Sequence, residues 1–292
     1  MDQGSPGFRR MLPKPKSASR ILAALLLFLG CSSVRSGSKP SQDETSLSEA
    51  VCPIVYPDDQ SPGARGYHYT FFGNAFFIND QGYLLTAAHV LEMFRDGGQP
   101  YILVNRLNAP PRVIKAEVIA QDATHDVAIL RATPNPFRSG NYRVAHVPLA
   151  DEPSLVGKAV LAVSLHPARL RDAHSFEWPR QDLSAGQVLR FESTVLDKSG
   201  PPSDVFILSH PVMRGQSGSP VVALDSHGVV GLIEGRWLRE SVASAASDGS
   251  QTSSVPGAAV PIHHAITLLQ QHDISWHAPE AIPPKESTSP EL

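Results

Sequence analysis

The sequence predicts an all-β fold, and three observations indicate this class. From Tyr67 to about residue 262, short apolar runs rich in β-branched and aromatic residues alternate with Gly, Pro, Asn and Asp. This punctuation is typical of a β-barrel or a β-sandwich. No long helical pattern separates the runs, so βαβ units are not expected. Hydrophobic residues make up 41% of the 292-residue chain, which is enough for a substantial core.

The apolar runs define the expected strands, because β-branched and aromatic side chains suit a pleated, half-buried surface. Residues 241–257 are rich in Ser and Ala without a hydrophobic period, and a loop is expected there. In chain order the predicted strands are Tyr69–Phe72, Ala75–Ile78, Tyr83–Thr86, Tyr101–Val104, Ile114–Ala120, Val127–Arg131, Ala159–Ser164, Gly186–Phe191, Val205–Ser209, Pro220–Leu224 and Val229–Glu234.

Two helices are expected among these strands. The first is a short turn over Val90–Phe94, just after a histidine. The second covers Ile262–His272, where apolar side chains recur at helical spacing. Two histidines on this helix, His263 and His264, are expected to face solvent. Neither they nor the cysteines have partners at metal-ligand spacing, so no metal site and no cofactor is expected.

The N-terminal residues resemble a secretion signal. Basic side chains between Arg9 and Arg20 precede the apolar run Ile21–Leu29, which is too short for a comfortable membrane span. The basic region is long, and a translation start at Met11 is an alternative to Met1. We therefore expect export to the cell envelope or periplasm.

A cysteine, Cys31, follows this apolar run. The segment Leu27–Ser33 resembles the lipobox of bacterial lipoproteins, although Phe28 departs from the usual leucine. The resemblance implies lipidation of Cys31 and a membrane anchor there, and ordinary cleavage within residues 32–37 is the alternative. If Cys31 is lipidated, Cys52 stands alone and no disulfide framework exists. A Cys31–Cys52 bridge is the other possibility.

The charge balance argues against nucleic acid as a partner. The chain has 25 Lys and Arg against 28 Asp and Glu, for a formal net charge of −3. Proteins that bind nucleic acid usually show a strongly basic face instead.

Three short segments carry the residue types of a catalytic triad. The segment Gly215–Pro220 places Ser217 in a glycine-rich turn, which can expose a nucleophilic hydroxyl and backbone N–H groups. Leu85–His89 contributes a histidine after an apolar run, and His125–Leu130 contributes an aspartate. The order His, Asp, Ser along the chain is that of the chymotrypsin class.

The chain resembles a bacterial trypsin-like serine protease, in particular the HtrA/Deg protease domain and its glutamyl-endopeptidase-like relatives. The resemblance covers about Phe72–His272 and implies two antiparallel six-stranded β-barrels, a C-terminal helix and a site in the cleft between the barrels. Four ordered segments carry it, namely Gly73–Val90, Ala116–Leu130, Val147–Val163 and Ala259–Ile262.

The resemblance also implies a role for each candidate residue. Ser217 is the expected nucleophile, His89 the general base and Asp126 the group that orients His89. The backbone N–H groups of Gly215 and Ser217 are expected to form the oxyanion hole.

Each assignment has an alternative in the sequence. His89 alone is also compatible with a structural role, and Asp126 with a turn cap. Asp122 is a second candidate aspartate. Asp126 is preferred because an apolar strand directly follows it. Ser219 is a second candidate hydroxyl, but Ser217 is the serine that glycines flank. A further departure is the charged residue Glu234, which is unusual beside a specificity pocket of this family.

Four parts of the chain are expected. They are a lipoprotein-type signal peptide at 1–30, a flexible tether and leading loop at 31–66, the protease domain at 67–275 and a disordered tail at 276–292. Only about twenty residues follow the last helix, which leaves no room for the PDZ domain that HtrA proteins generally carry.

The sequence thus predicts an exported serine endopeptidase that hydrolyses polypeptides through an acyl-enzyme intermediate. The alternative is a catalytically weak protein of the same fold, which binds exposed peptides as a chaperone or regulator. Polypeptides and a membrane are the expected partners, and the sequence does not indicate an oligomeric state.

Overall fold

Two β-barrels dominate the structure. The computed structural model describes residues 47–57, 69–94, 98–166, 180–197, 200–237 and 255–280. Within these ranges, twelve strands form two closed barrels of six strands each, and every strand pair between neighbours is antiparallel. One α-helix follows the second barrel. The predicted fold class is therefore confirmed, together with the two six-stranded barrels and the C-terminal helix that the resemblance implied.

The first barrel uses the N-terminal strands in the order β1-β2-β3-β6-β5-β4. It closes where Ile54 of β1 pairs with Ile102 of β4. Phe77, Leu84 and Leu130 are fully buried in its interior, because alternate side chains of each strand point inwards. Its strands are β1(Val51–Pro57), β2(Tyr69–Phe77), β3(Tyr83–Thr86), β4(Tyr101–Arg106), β5(Ala109–Asp122) and β6(Val127–Thr133).

The second barrel repeats this plan in the order β10-β11-β12-β9-β8-β7. Phe206, Leu208 and Val221 are buried in its core. Its strands are β7(Ala159–His166), β8(Arg180–Thr194), β9(Ser203–Pro211), β10(Pro220–Ala223), β11(Val229–Arg236) and β12(Pro256–Pro261).

Two of the twelve strands, β1 and β12, are not among the strands predicted from the sequence. The range 31–66 was expected to be tether and leading loop, but Val51–Pro57 forms β1 and pairs with both β2 and β4. Val51, Ile54 and Val55 are buried there, so their β-branched side chains outweigh the loop signal of the neighbouring prolines. Similarly, β12 begins at Pro256, inside the expected loop of residues 241–257.

A helix and the residues after it pack against the barrels. Helix α1(Ile262–Gln271) buries Ile262, Ala265 and Leu269 on one face, as its helical spacing predicts. The predicted disordered tail at 276–292 is wrong at its start. The half-buried Trp276 packs against the core, and Leu149 donates a backbone hydrogen bond to the carbonyl of His277 at 2.9 Å. Residues 281–292 of the expected tail lie outside the described residues.

The two barrels share one apolar cluster. Phe76 and Leu85 from the first barrel join Val163 and Leu165 from the second, and all four are at most 2% exposed. This shared core positions the loops of one barrel against those of the other, which is where the candidate site lies.

Cys52 is a free cysteine on β1. Its side chain is 3% exposed, and burial raises the pKa of the thiol well above its ordinary value of 9.0. The expected signal peptide and the lipidation site at Cys31 lie outside the described residues. No helix in the described part of the chain is long and apolar enough to cross a membrane.

Candidate active site

His89 and Asp126 form a hydrogen-bonded pair beside the first barrel. His89 lies in the 3₁₀ helix Ala88–Phe94 after β3, and Asp126 lies between β5 and β6. The Nδ1 atom of His89 is 2.7 Å from Asp126 Oδ2, and the His89 backbone N–H donates to Asp126 Oδ1 at 2.8 Å. A carboxylate only accepts hydrogen bonds, so Nδ1 carries the proton in this pair. In the neutral imidazole, the Nε2 atom is then left as an acceptor.

Asp126 is held in an uncommon backbone conformation. Its φ angle is 52°, in the left-handed region that Asp tolerates better than most residues, and its side chain is buried. Its carbonyl accepts a hydrogen bond from the Ala88 backbone at 3.2 Å. The alternative aspartate, Asp122, is instead 2.6 Å from Nδ1 of His125. The structure therefore pairs Asp126, and not Asp122, with His89.

The turn that carries Ser217 depends on two glycines. Gly215 and Gly218 have φ angles of 95° and 79°, which strain any residue that has a Cβ atom. A Cβ on Gly218 would also stand 2.4 Å from Oγ1 of Thr86. Because Thr86 ends the strand that leads to His89, this close approach brings the Ser217 turn of the second barrel beside the histidine of the first.

The hydroxyl of Ser217 has one hydrogen-bond acceptor in this arrangement. Its Oγ donates to the backbone carbonyl of Glu234 at 3.0 Å, and the side chain is half-buried. Ser219, the alternative hydroxyl, is fully buried beneath the turn. Of the two serines, only Ser217 is partly open to solvent.

Gln216 anchors the same turn from below. Its side chain is buried, and its Oε1 accepts a hydrogen bond from the Met213 backbone at 2.7 Å. Its Nε2 donates to Oδ2 of Asp182 on β8 at 2.9 Å. Gln216 therefore ties the turn to the wall of the second barrel.

Asn74 ties this turn to the first barrel. It is fully buried on β2, and its Nδ2 donates to the carbonyls of Gly215 at 2.9 Å and Leu165 at 3.2 Å. Its Oδ1 accepts from the Leu165 backbone at 3.1 Å. Its own backbone N–H donates to the Ser217 carbonyl at 2.8 Å. One residue thus connects the two barrels and both sides of the Ser217 turn.

Glu234 enters the site through a β-bulge. Ile233 pairs with Ala259 and Gly235 pairs with Ala258, so Glu234 is the extra residue on β11. A bulge bends its strand locally and redirects the side chain, and bulges are frequent beside active sites. Here the bulge presents the carbonyl of Glu234 to Ser217 and leaves its side chain half-buried.

Charges around His89 favour its protonated form. Burial disfavours the charged imidazole, but the hydrogen bond and negative charge of Asp126, helped by Glu234 and Glu92, outweigh it. The pKa of His89 is therefore raised above 6.5. Burial, followed by the charge of Asp126, raises the pKa of Glu234 above 4.5, and His89 partly offsets this. The two residues influence each other across the barrel interface.

Comparison with known protein families agrees with this geometry. The family model for the trypsin-like peptidase domain matches residues 73–232, which is more than half of the chain and includes His89, Asp126 and Ser217. The chain belongs to the trypsin-like peptidase family. Membership of this family makes the protein a protease. No curated protein sequence matches it significantly.

Solved structures of HtrA/Deg-type proteases have a similar fold. The apo MamO protease domain from Magnetospirillum magneticum has a TM-score of 0.53 and 15% identity, over 77% of this chain and 98% of that one. The active form of the Rv3671c protease from M. tuberculosis has a TM-score of 0.52 and 17% identity, over 82% and 87% of the two chains. Deg5 has a TM-score of 0.51 and 14% identity, over 78% and 94%. At these identities the likeness concerns the fold alone.

Some residues of the peptidase site were not identified from its sequence. Asn74 is a polar residue within an apolar run, which is a signal of a buried role, but its partners lie 91 and 141 residues away. Gln216 stands beside the candidate nucleophile. Its partner Asp182 lies in no recognisable motif, so the contact between them could not be predicted. Glu234 was noticed for its charge, whereas its bulge and its carbonyl contact follow only from the strand register.

A second polar cluster of the peptidase shares no residue with the Ser217 turn. His263 and His264 were expected to face solvent, but the His264 side chain is only 12% exposed. Its Nε2 lies 2.6 Å from Oδ1 of Asp204 on β9, which supplies the third group that the sequence did not indicate. The expectation of solvent-facing histidines is therefore wrong for His264, because Asp204 of β9 and the ring of His125 lie against its side chain.

Proposed function

We propose that this peptidase is a serine endopeptidase in which Ser217, His89 and Asp126 act as a catalytic triad. The observation that carries the proposal is the double contact of Asp126 with His89, at 2.7 and 2.8 Å, beside the glycine-flanked turn of Ser217. This contact holds one imidazole tautomer, with Nε2 as the proton acceptor.

The proposed reaction begins with attack of Ser217 Oγ on the carbonyl carbon of the scissile peptide bond. His89 Nε2 takes the hydroxyl proton as the new C–O bond forms, and Asp126 stabilises the imidazolium. Collapse of the tetrahedral intermediate breaks the C–N bond, and His89 gives its proton to the leaving amine. Water then hydrolyses the acyl-enzyme by the same route and restores the Ser217 hydroxyl.

The backbone N–H groups of Gly215 and Ser217 are proposed as the oxyanion hole. Within the described part of the chain, neither group has a hydrogen-bond acceptor, so both can receive developing negative charge. Asn74 and Gln216 hold the turn on both sides of these groups. Removing one such donor costs about 2.7–4 kcal/mol of transition-state stabilisation in serine proteases.

In the structure, the Ser217 hydroxyl donates to the backbone carbonyl of Glu234. Rotation about the Cα–Cβ bond of a serine moves its hydroxyl between staggered positions at little cost. In proteases without substrate, catalytic hydrogen bonds are often long or misaligned, and they tighten in the substrate complex. In our proposal, substrate binding transfers the Ser217 hydrogen bond from the Glu234 carbonyl to His89.

A fluorophosphonate probe tests the nucleophile, because it reacts with an activated serine. The wild-type chain should be labelled, Ser217→Ala should not be, and Ser219→Ala should be labelled like the wild type. Ser219 is a matched control, because it lies two residues away and its buried hydroxyl has no partner in the described part of the chain. Labelling of Ser217→Ala at the wild-type rate would contradict the assignment.

A second candidate function is peptide binding without turnover. The observation that favours it is the hydrogen bond from Ser217 to the Glu234 carbonyl, which occupies the nucleophile. This candidate predicts no probe labelling of the wild type, but saturable binding of unfolded polypeptides. Fluorophosphonate labelling of a wild-type preparation that also binds polypeptides supports the endopeptidase. The same preparation therefore distinguishes the two candidate functions.

We also propose that the chain is exported and anchored through a lipid on Cys31. The support is the basic and apolar N-terminal pattern followed by Gly30 and Cys31. Two or more acyl chains anchor a protein stably, whereas a single chain is marginal. Mass spectrometry of the mature N-terminus is the test. An acylated Cys31 supports the proposal, and an unmodified terminus within residues 32–37 replaces it with ordinary secretion.

A further inference from the structure

Asp204, His263 and His264 bring three ligand atoms together on the second barrel. One oxygen of Asp204 and one ring nitrogen of each histidine all lie within 4.8 Å of one another. The Nε2 atom of His264 is 2.6 Å from Asp204 Oδ1, and the Nε2 atom of His263 is 3.9 Å from Asp204 Oδ2. Both imidazoles therefore direct the same nitrogen towards one carboxylate.

These spacings suit a small metal ion. Ligands that bind a tetrahedral zinc ion with bonds of about 2.0 Å stand about 3.3 Å from each other. The observed 2.6 and 3.9 Å lie on either side of that value. Small rotamer changes of side chains on β9 and α1 are therefore enough to reach coordination geometry.

The surroundings of the cluster fit a partly enclosed site. The side chain of His264 is 12% exposed, whereas those of His263 and Asp204 are 43% and 42% exposed. One side of the cluster is thus covered by protein, and the other is open to an ion from solvent. A site with three protein ligands and an open side can also bind water.

A residue of the first barrel covers this cluster. The ring of His125 stacks on that of His264, with centroids 4.0 Å apart and planes at 20°. Asp122 is 2.6 Å from Nδ1 of His125, which fixes the ring and leaves its Nε2 without a partner among the described residues. His125 therefore places a third imidazole beside the cluster.

We propose that Asp204, His263 and His264 bind a divalent transition-metal ion of the zinc class. Two imidazoles and one carboxylate are ligands of intermediate softness, which prefer Zn²⁺, Co²⁺, Ni²⁺ or Cu²⁺ to Mg²⁺ or Ca²⁺. The remaining position, on the open side of the cluster, is taken by water. The ion links β9 to the first turn of α1 and is separate from the Ser217 turn.

Metal binding should stabilise the folded chain. An ion that binds the native state, and binds the unfolded chain less well, shifts unfolding to higher temperature as its concentration rises. The melting temperature should therefore rise with added Zn²⁺ and should not respond to the same concentration of Mg²⁺. This measurement needs no peptidase activity, so it does not depend on the catalytic proposal.

Titration of the purified chain without a histidine tag tests the site. We expect saturable Zn²⁺ binding by calorimetry, and visible absorption bands with Co²⁺ that report coordination by protein ligands. His264→Gln and Asp204→Asn should each weaken binding at least tenfold, since loss of even an outer-shell partner costs about 10–100-fold. His272→Ala is the matched control, because this exposed histidine caps the other end of α1.

Folding of each variant is checked by circular dichroism. His263→Gln provides a milder variant, because the His263 side chain is more exposed than that of His264. Retained folding with weakened binding in the three cluster variants, and wild-type binding in His272→Ala, supports the site. Zn²⁺ affinity unchanged in folded His263→Gln and His264→Gln, or no binding by the wild-type chain at micromolar Zn²⁺, would overturn it.

Discussion

At the scale of single residues, the proton affinity of His89 depends on groups from both barrels. Asp126 comes from the first barrel and Glu234 from the second, and both raise the pKa of His89 above 6.5 against the effect of burial. A general base acts only when it is neutral. Activity should therefore disappear, as pH falls, at a higher pH than the ordinary histidine value of about 6.5 that the sequence alone predicts.

Replacing Glu234 with glutamine tests this coupling. Glu234→Gln removes a negative charge near His89, so the pKa of His89 should fall. The acid limb of kcat/KM should then move to lower pH, while activity on the alkaline plateau changes little. Glu117→Gln, which removes an exposed carboxylate on β5, is the control. An acid limb at the same pH in both variants would show that Glu234 does not act on His89.

Asp126→Asn should nearly abolish turnover without unfolding the chain. Asparagine tolerates the left-handed backbone at φ 52°, but its amide group can hold His89 in the wrong tautomer. A loss of about 10⁴-fold in kcat is expected for this change in a catalytic triad. Asp122→Asn should keep activity close to the wild type, because Asp122 contacts His125 instead. Comparable losses in both variants would refute the assignment.

At the scale of elements, the Ser217 turn depends on side chains beneath it. Gln216→Ala removes the acceptor of the Met213 backbone and the donor to Asp182. The N–H groups of the turn should then lose their fixed direction, and kcat should fall by roughly 10–100-fold with a smaller change in KM.

Two variants of Asp182 control this prediction. Asp182→Ala should reproduce the loss, because Gln216 then has no partner on β8. Asp182→Asn should retain most of the activity, because its amide oxygen still accepts the hydrogen bond of Gln216. Steady-state kinetics on one peptide substrate measures all three variants. If Gln216→Ala and Asp182→Ala both keep the wild-type kcat, the Ser217 turn does not need the hydrogen bond between Gln216 and Asp182.

The strands show what local sequence can predict. Every predicted strand overlaps an observed one, because alternating β-branched and aromatic residues are a local property. The strand β1 was missed because its prolines at 53 and 57 indicate a loop, while its pairing with β4 depends on residues about fifty positions away. The bulge at Glu234 was missed for the same reason, since it follows from register with β12.

The site shows the same division between local and distant information. His89, Asp126 and Ser217 lie in short motifs, so they could be selected from the sequence, and their catalytic role stays a prediction. The contact of Asn74 with Gly215 joins residues from different barrels and follows from no motif. A polar residue between two barrels needs only a partner of complementary hydrogen-bonding type. Many residue types meet this condition, so no sequence motif marks the position.

At the scale of the whole molecule, Asn74 is the polar connection between the barrels. Asn74→Ala would leave the buried N–H and carbonyl groups of Leu165, and the partly buried carbonyl of Gly215, without this partner. Each unsatisfied buried group costs about 1–3 kcal/mol, so loss of the two buried Leu165 contacts should lower the free energy of unfolding by about 2–6 kcal/mol. Activity should fall more than stability alone explains, because the same amide holds the Ser217 turn.

Urea unfolding and kinetics in the same buffer check both parts. Asn141→Ala is the control, since this asparagine is exposed on the surface of the described structure. Its stability should stay within about 0.5 kcal/mol of the wild type, as surface changes usually do. An equally small effect of Asn74→Ala would mean that the apolar cluster alone aligns the barrels.

The buried thiol of Cys52 allows openings of the first barrel to be measured chemically. Alkylating reagents attack the thiolate, and burial on β1 suppresses both access and ionisation while the first barrel stays closed. Each alkylation of Cys52 therefore records an opening of that barrel. Peptide mass spectrometry separates this event from any reaction at Cys31. The rate of Cys52 alkylation thus reports how often the first barrel opens, and the measurement needs neither substrate nor an engineered fluorophore.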